Sequence, residues 1–303
     1  MIIDLRARIW SSLEQFGHEL AERLRARYAE RWDQLDASSS SFDRAMACAD
    51  VVCVHGFRSH RLGAAVPNEL IAEFISRDPG RRAGIAGIDP LAPDALDELE
   101  AAIDLGMCGL SISPGLQGFH PTHSEAMRIY ERAAAAGLPV FVTNDIPLPA
   151  SAILDFARPS AFDEVARSIP QLRIVMGDVG QPWMNETLAL IGKHEYVYAD
   201  VSTVVSRPWE LYTTLLSAAS ARVMDKILFG SGFPFETPTH AIESLYSVNA
   251  YSQGTQLASI PRSLIRSVVE RDSLAILGID VITSGTSISE TEHAEVDRAQ
   301  SRV

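Results

Sequence analysis

Two arginines, Arg6 and Arg8, stand two residues apart in the run MIIDLRARIW that opens the chain. If this run is a strand, alternation sends both side chains to the same side. A guanidinium is a planar, two-pronged donor matched to a carboxylate or phosphate, so the chemistry such a pair offers is recognition of a small anion. Other polar residues lie at or near the ends of later β-branched runs: His55, Ser111, Ser113, Thr143, Asn144, Asp145, Asp178, Asp200, Ser202 and Ser231. The hydroxyls and the amide are candidates to add hydrogen bonds to a bound ligand, and Asp178 is the candidate catalytic base. Pairing to arginine would lower its pKa and weaken it in that role. No Ser-His-Asp or Cys-His spacing stands out, and the Gly-Ser-Gly at 230–232 lacks the G-x-S-x-G pattern of a nucleophile elbow. Gly-Asp-Val-Gly at 177–180 reads as a turn rather than a phosphate cradle.

The elements that would position these residues recur about every thirty residues. Strand candidates are Ile2–Asp4, Val51–Val54, Gly84–Gly87, Gly109–Ile112, Val140–Val142, Ile174–Met176, Tyr196–Tyr198 and Ile227–Phe229. Between them run the amphipathic stretches Pro93–Leu105, Ser124–Ala136, Pro182–Ile191, Trp209–Ala219 and Pro261–Leu277. This rhythm is that of parallel strands with crossover helices. No glycine fingerprint follows the first strand, so an α/β fold of the closed (β/α)₈ TIM-barrel type is expected rather than an open dinucleotide-binding sheet. One domain over 1–282 is expected, with an inserted amphipathic helix at about 11–36. Leu13, Phe16, Leu20, Leu24, Tyr28, Trp32 and Leu35 fall there at three- and four-residue steps. That helix would cap the barrel mouth, pack on the wall, or dock a second copy or a partner protein. The four serines at 38–41 read as a flexible turn or helix cap. The polar stretch 283–303 is expected to be a disordered tail.

Seven segments, in order, also carry a family resemblance: IDLRARIW, the stretch from VPNEL to CGLSI, GFHPTHSEAMRIYERAAAAGLPVFV, PQLRIVMGDVG, EYVYADVS, KILFGSGFPFETP and RDSLAILGI. Together they resemble the amidohydrolase-related branch of the amidohydrolase superfamily, which includes aminocarboxymuconate-semialdehyde decarboxylase and related hydrolases and lyases. The resemblance covers about residues 51–279 plus the first eight. It implies a metal-dependent hydrolase or decarboxylase: His-x-His on the first strand, a histidine after each of the fifth and sixth, and an aspartate after the eighth would hold a divalent ion that activates water. At those places this chain has Arg6 and Arg8, Thr143, Asp178 and Gly232. Guanidinium groups have no lone pair to donate and repel a cation, so no metal is expected at a family-type site. The alternative is a divalent metal such as zinc at a site rebuilt from His55, His120, His123, Asp145 or Asp200. If the alignment holds, Arg6 and Arg8 face the barrel interior and need partners there. Asp178 is the first candidate, with Asp4, Asp145 and Asp200 behind it. Two readings of such a centre stay open, a self-contained ion-pair plug and a receptor for an anionic small molecule. The metal-independent, pseudoenzyme reading is preferred to retained hydrolase or decarboxylase activity.

Composition narrows the remaining classes. The formal net charge is −13 over 303 residues, which argues against nucleic acid and anionic membrane as partners, since both demand a basic footprint. No stretch approaches the ~20 apolar residues of a membrane span. MIIDLRARIW lacks the basic start and apolar core of an export signal, so a cytoplasmic location is expected. Cys48, Cys53 and Cys108 are odd in number, without zinc or disulfide spacing, and are expected to be buried, reduced thiols.

Overall fold

A computed structural model describes residues 1–30, 35–143 and 147–281. Eight parallel strands form one sheet in the order β1 (Ile3–Ala7), β2 (Val51–His55), β5 (Arg82–Gly87), β6 (Gly109–Ile112), β7 (Val140–Val142), β8 (Ile174–Met176), β9 (Val197–Asp200) and β10 (Ile227–Leu228). The sheet closes on itself: Leu5 N–H donates to Phe229 O at 3.1 Å, Gly232 N–H to Arg6 O at 2.8 Å and Arg8 N–H to Phe233 O at 2.9 Å. The fold is therefore a (β/α)₈ barrel.

Alternation along the strands divides the core in two. Val52, Val54, Leu110, Ile112, Val140 and Val142 face the surrounding helices. Ile3, Leu5, Val51, Cys53, Ile85, Phe141, Val175 and Leu228 fill the interior, joined by Leu274 and Leu277 of the helix Ser273–Leu277. Strands buried on both faces read as continuous apolar runs, which is why all eight were visible in the sequence. Their bounds differ from expectation by a few residues, most consequentially at β1, which runs on through Arg6.

Three expectations need correction. The stretch from Ser11 to Leu35 is not one helix: a 3₁₀ turn, Leu13–Phe16, is capped by Ser12 and followed at Gly17 by the α-helix His18–Arg27. Gly17 has φ +72°, and a Cβ there would lie 2.0 Å from Leu62 O. Only glycine allows both this left-handed turn and this close approach, so the apolar periodicity runs across a break. Pro261–Leu277 is likewise two helices, Arg262–Glu270 and Ser273–Leu277. All three cysteines are free, but Cys48 is exposed and Cys108 only half-buried, because neither lies in a central strand. The hairpin Phe57–Ser59 (β3) with Ala64–Val66 (β4) was not foreseen. Ser38 caps the helix Ser39–Ala45, as the serine run suggested.

The broken 11–28 segment lies over the end of the barrel at which the strands terminate. Phe16 stacks on Phe57 at 5.7 Å, Tyr28 on Phe235 at 4.9 Å, and Glu19 accepts from Ser151 N–H at 3.1 Å. Its apolar residues Leu13, Phe16, Leu20 and Leu24 are buried there, which leaves them no exposed stripe for docking. Trp32 and the stretch 283–303 lie outside the described residues. Among the described residues no helix is long and apolar enough to cross a membrane.

Candidate functional site

Arg6 reaches the barrel interior through an irregularity in β1. The pairing of β1 with β2 shifts between Asp4 and Ala7. Ile3 and Leu5 pack in the inner cluster and Ala7 in the outer one. Uninterrupted alternation from Ile3 and Leu5 would point Arg6 and Arg8 outward; the bulge resets the parity and brings both in. Asp4 holds this geometry, its Oδ1 accepting Arg6 N–H at 3.0 Å and Ser231 N–H at 2.9 Å across the seam. Burial pushes its carboxyl up to about 6.

Inside, Arg6 Nε and Nη2 donate to Asp200 Oδ2 at 3.0 and 2.6 Å. Arg6 Nη1 and Arg8 Nη2 each lie 3.4 Å from Thr143 Oγ1, which in turn lies 2.9 Å from Ser111 Oγ. The Arg6 guanidinium carbon sits 5.7 Å from the centroid of the Phe141 ring. Two glycines make the room: a Cβ on Gly177 would lie 2.9 Å from Arg6 Nη2, and one on Gly230 3.0 Å from Arg6 Cβ. The result is sealed, with Arg6 and Asp200 at 0% and Arg8 at 1% exposure.

The first-choice partner, Asp178, is placed differently. Arg6 takes Asp200, whereas Asp178 Oδ2 accepts from Thr203 Oγ1 and Arg207 Nη2, both at 3.0 Å. The reason is local backbone: Asp178 and Val179 both adopt left-handed conformations, φ 54° and 48°. Such a conformation costs about 1–3 kcal/mol per non-glycine residue and is exceptional for a β-branched one. The turn is tied back to the centre, since Asp178 N–H donates to Asp200 Oδ1 at 3.1 Å and Ser202 Oγ donates to the same oxygen.

His55 is buried at the end of β2. Burial first, and then the charges of Arg6 and Arg8, hold its pKa well below the usual histidine value. The neutral ring has Nε2 2.8 Å from Leu5 O. Because a carbonyl can only accept, Nε2 carries the proton and Nδ1 the lone pair. Ser231 Oγ accepts from Phe233 N–H at 3.1 Å, and Ser113 Oγ donates to Thr143 O at 3.1 Å. His120 and His123 lie outside this group: His120 is exposed and bonds to Thr122, and His123 caps the helix Ser124–Ala135. Asn144 and Asp145 fall outside the described residues. Thr203 and Arg207 were not foreseen, because neither follows directly on a strand candidate. Gly177 and Gly230 carried a signal that went unused: glycine just past a strand end marks a close approach, here that of Arg6.

Among the described residues the donor set does not fit a divalent ion. Arg6, Arg8 and Gly232 offer no ligand atom, and the free lone pair of His55 lies in the field of two guanidiniums. Among the described residues no three His, Cys, Asp or Glu side chains converge as a metal cluster.

Residues 3–257 match the family described as amidohydrolase. No curated protein matches. Among solved structures, the chain is similar to an uncharacterised TIM-barrel protein from Bordetella bronchiseptica, at 17% identity and TM-score 0.68 over 91% of this chain and 99% of that one. It is also similar to a dihydroxybenzoic acid decarboxylase from Polaromonas sp. JS666 with bound manganese and the inhibitor 2-nitroresorcinol, at 16% identity and TM-score 0.66 over 91% and 96%. A third is a probable 2-pyrone-4,6-dicarboxylic acid hydrolase from Acinetobacter baumannii with citric acid bound, at 15% identity and TM-score 0.60 over 92% and 99%. At these identities the likeness establishes the fold.

Proposed function

Since the chain belongs to the amidohydrolase family, we propose that it is a metal-independent member which recognises a small carboxylate or phosphate at the barrel centre, rather than hydrolysing a substrate with a bound metal. The observation that carries this reading is the pair Arg6 and Arg8, both buried inside the barrel, with Arg6 already turned onto a carboxylate. Asp200 then occupies the place that a ligand carboxylate would compete for, and the Thr143 and Ser111 hydroxyls supply further hydrogen bonds. The names of two structural relatives, one an acid decarboxylase and one a hydrolase with citric acid bound, accord with a carboxylate as the ligand class.

Complete burial of Arg6 and Asp200 favours a second reading, in which the ion pair is a permanent plug and the protein acts through assembly with itself or a partner. Hydrolase or decarboxylase activity on a small carboxylate is a third reading, through a rebuilt metal centre or a metal-independent site. Thermal unfolding with benzoate, citrate, phosphate, zinc or manganese separates them. A ligand at 100 times its Kd stabilises by about 2.7 kcal/mol, so the receptor reading expects a rise of several degrees with one anion, abolished in Arg8→Ala. No response to any anion leaves the plug. A metal response accompanied by turnover restores the enzyme.

A further inference from the structure

Nothing in solution reaches Arg6 or Asp200 while both are fully covered, so exchange at the centre requires the cover to move. One segment combines the position, the strain and the restraint that such a movement needs. The turn Gly177–Gly180 follows β8 at the mouth of the barrel. Gly177 packs so closely on Arg6 that a Cβ would meet Nη2 at 2.9 Å. Asp178 N–H bonds to Oδ1 of Asp200, whose other oxygen holds Arg6, so the turn and the ion pair share one carboxylate.

The turn does not rest in a relaxed conformation. Asp178 and Val179 are consecutive left-handed residues and both are buried. Backbone of this kind persists only where surrounding contacts over-determine it. Among those contacts, Thr203 and Arg207 both hold the side chain of Asp178 at Oδ2. Arg207 is steadied by Glu210, which also accepts from Gln181 Nε2 at 2.8 Å just beyond the turn. The Arg207 side chain is 25% exposed while that of Asp178 is 3% exposed, so the latch can be reached from solvent although the turn it holds cannot.

We infer that Gly177–Gly180 is a strained gate over the barrel centre, latched by Arg207 and Thr203 on Asp178. Release of the latch lets Val179 return to an ordinary conformation, withdraws the Asp178 N–H from Asp200 and uncovers Arg6. This concerns access to the centre, and it holds or fails independently of which anion, if any, binds there.

Hydrogen exchange tests it on the intact chain without a ligand, by following the backbone amides of 177–181 and the Nε–H of Arg6 by NMR, with the amides of β5 and β6 as the record of global unfolding. Arg207→Gln should accelerate exchange at 177–181 and at Arg6 Nε–H by about tenfold or more, the loss expected for a charged hydrogen bond, and leave β5 and β6 unchanged. Thr203→Val should act in the same direction and to a smaller extent, and it serves alone if Arg207→Gln does not fold. Exchange unchanged in the turn and at Arg6, or accelerated equally in β5 and β6, would overturn the gate.

Discussion

At the level of single residues, the Arg6–Asp200 pair gives the polar ends of several strands a common partner, with Thr143 beside Arg6 and the Asp178 N–H on Asp200. Removing one member takes a buried, charged partner from the other. Asp200→Ala should lower the unfolding free energy by about 3–5 kcal/mol in urea titrations, because it leaves a buried guanidinium short of its carboxylate. Arg6→Met combined with Asp200→Leu should cost less than Asp200→Ala alone, since an apolar replacement leaves no uncompensated charge. Asp4 makes a separate prediction. Its carboxyl rises from 3.8 to about 6 on folding, so the native state binds more protons than the unfolded chain between those values. Its effect is therefore a penalty that is absent below pH 3.8, grows through this window and is complete above pH 6, at about 3 kcal/mol. Asp4→Asn keeps an acceptor for Ser231 and Arg6 N–H. The difference in stability between variant and wild type should thus shift in the variant's favour as pH rises from 4 to 7, and a pH-independent difference would exclude this titration. The sequence displayed the arginines and the candidate carboxylates but not their pairing, since Asp178 and Asp200 both stand near strand ends; what separates them is the turn that Gly-Asp-Val-Gly announced at 177–180, whose left-handed Asp178 and Val179 the residue types did not.

Among the elements, legibility followed burial. Central strands buried on both faces announce themselves as apolar runs, and the helices between them by periodicity and proline starts. Periodicity misled at Gly17, because apolar residues on both sides of the break bury against the same barrel mouth and so keep helical spacing in sequence. Gly17→Ala should be destabilising by more than the ~1 kcal/mol of an ordinary glycine-to-alanine strain at positive φ, because the added methyl also meets Leu62 O. Thermal unfolding measures that loss, and an unchanged midpoint would show that the segment re-forms as one helix. The bulge in β1 was equally invisible, yet it determines which way Arg6 and Arg8 point.

For the molecule as a whole, the family barrel is retained while the atoms that would hold the family's metal are not. The closure of β10 onto β1, the helix Ser273–Leu277 beneath the interior and the 11–28 segment across the mouth enclose a centre built from guanidinium, carboxylate and hydroxyl groups. The guanidinium groups among them are the basis of the proposed anion site, since a guanidinium attracts anions and repels divalent cations. The most direct test is elemental analysis of the purified, untagged protein after equilibration with zinc and with manganese and removal of the excess. The account predicts well below about one-tenth of a metal ion per chain, as expected where guanidiniums replace imidazole ligands. About one zinc or manganese per chain, retained through gel filtration, would contradict it.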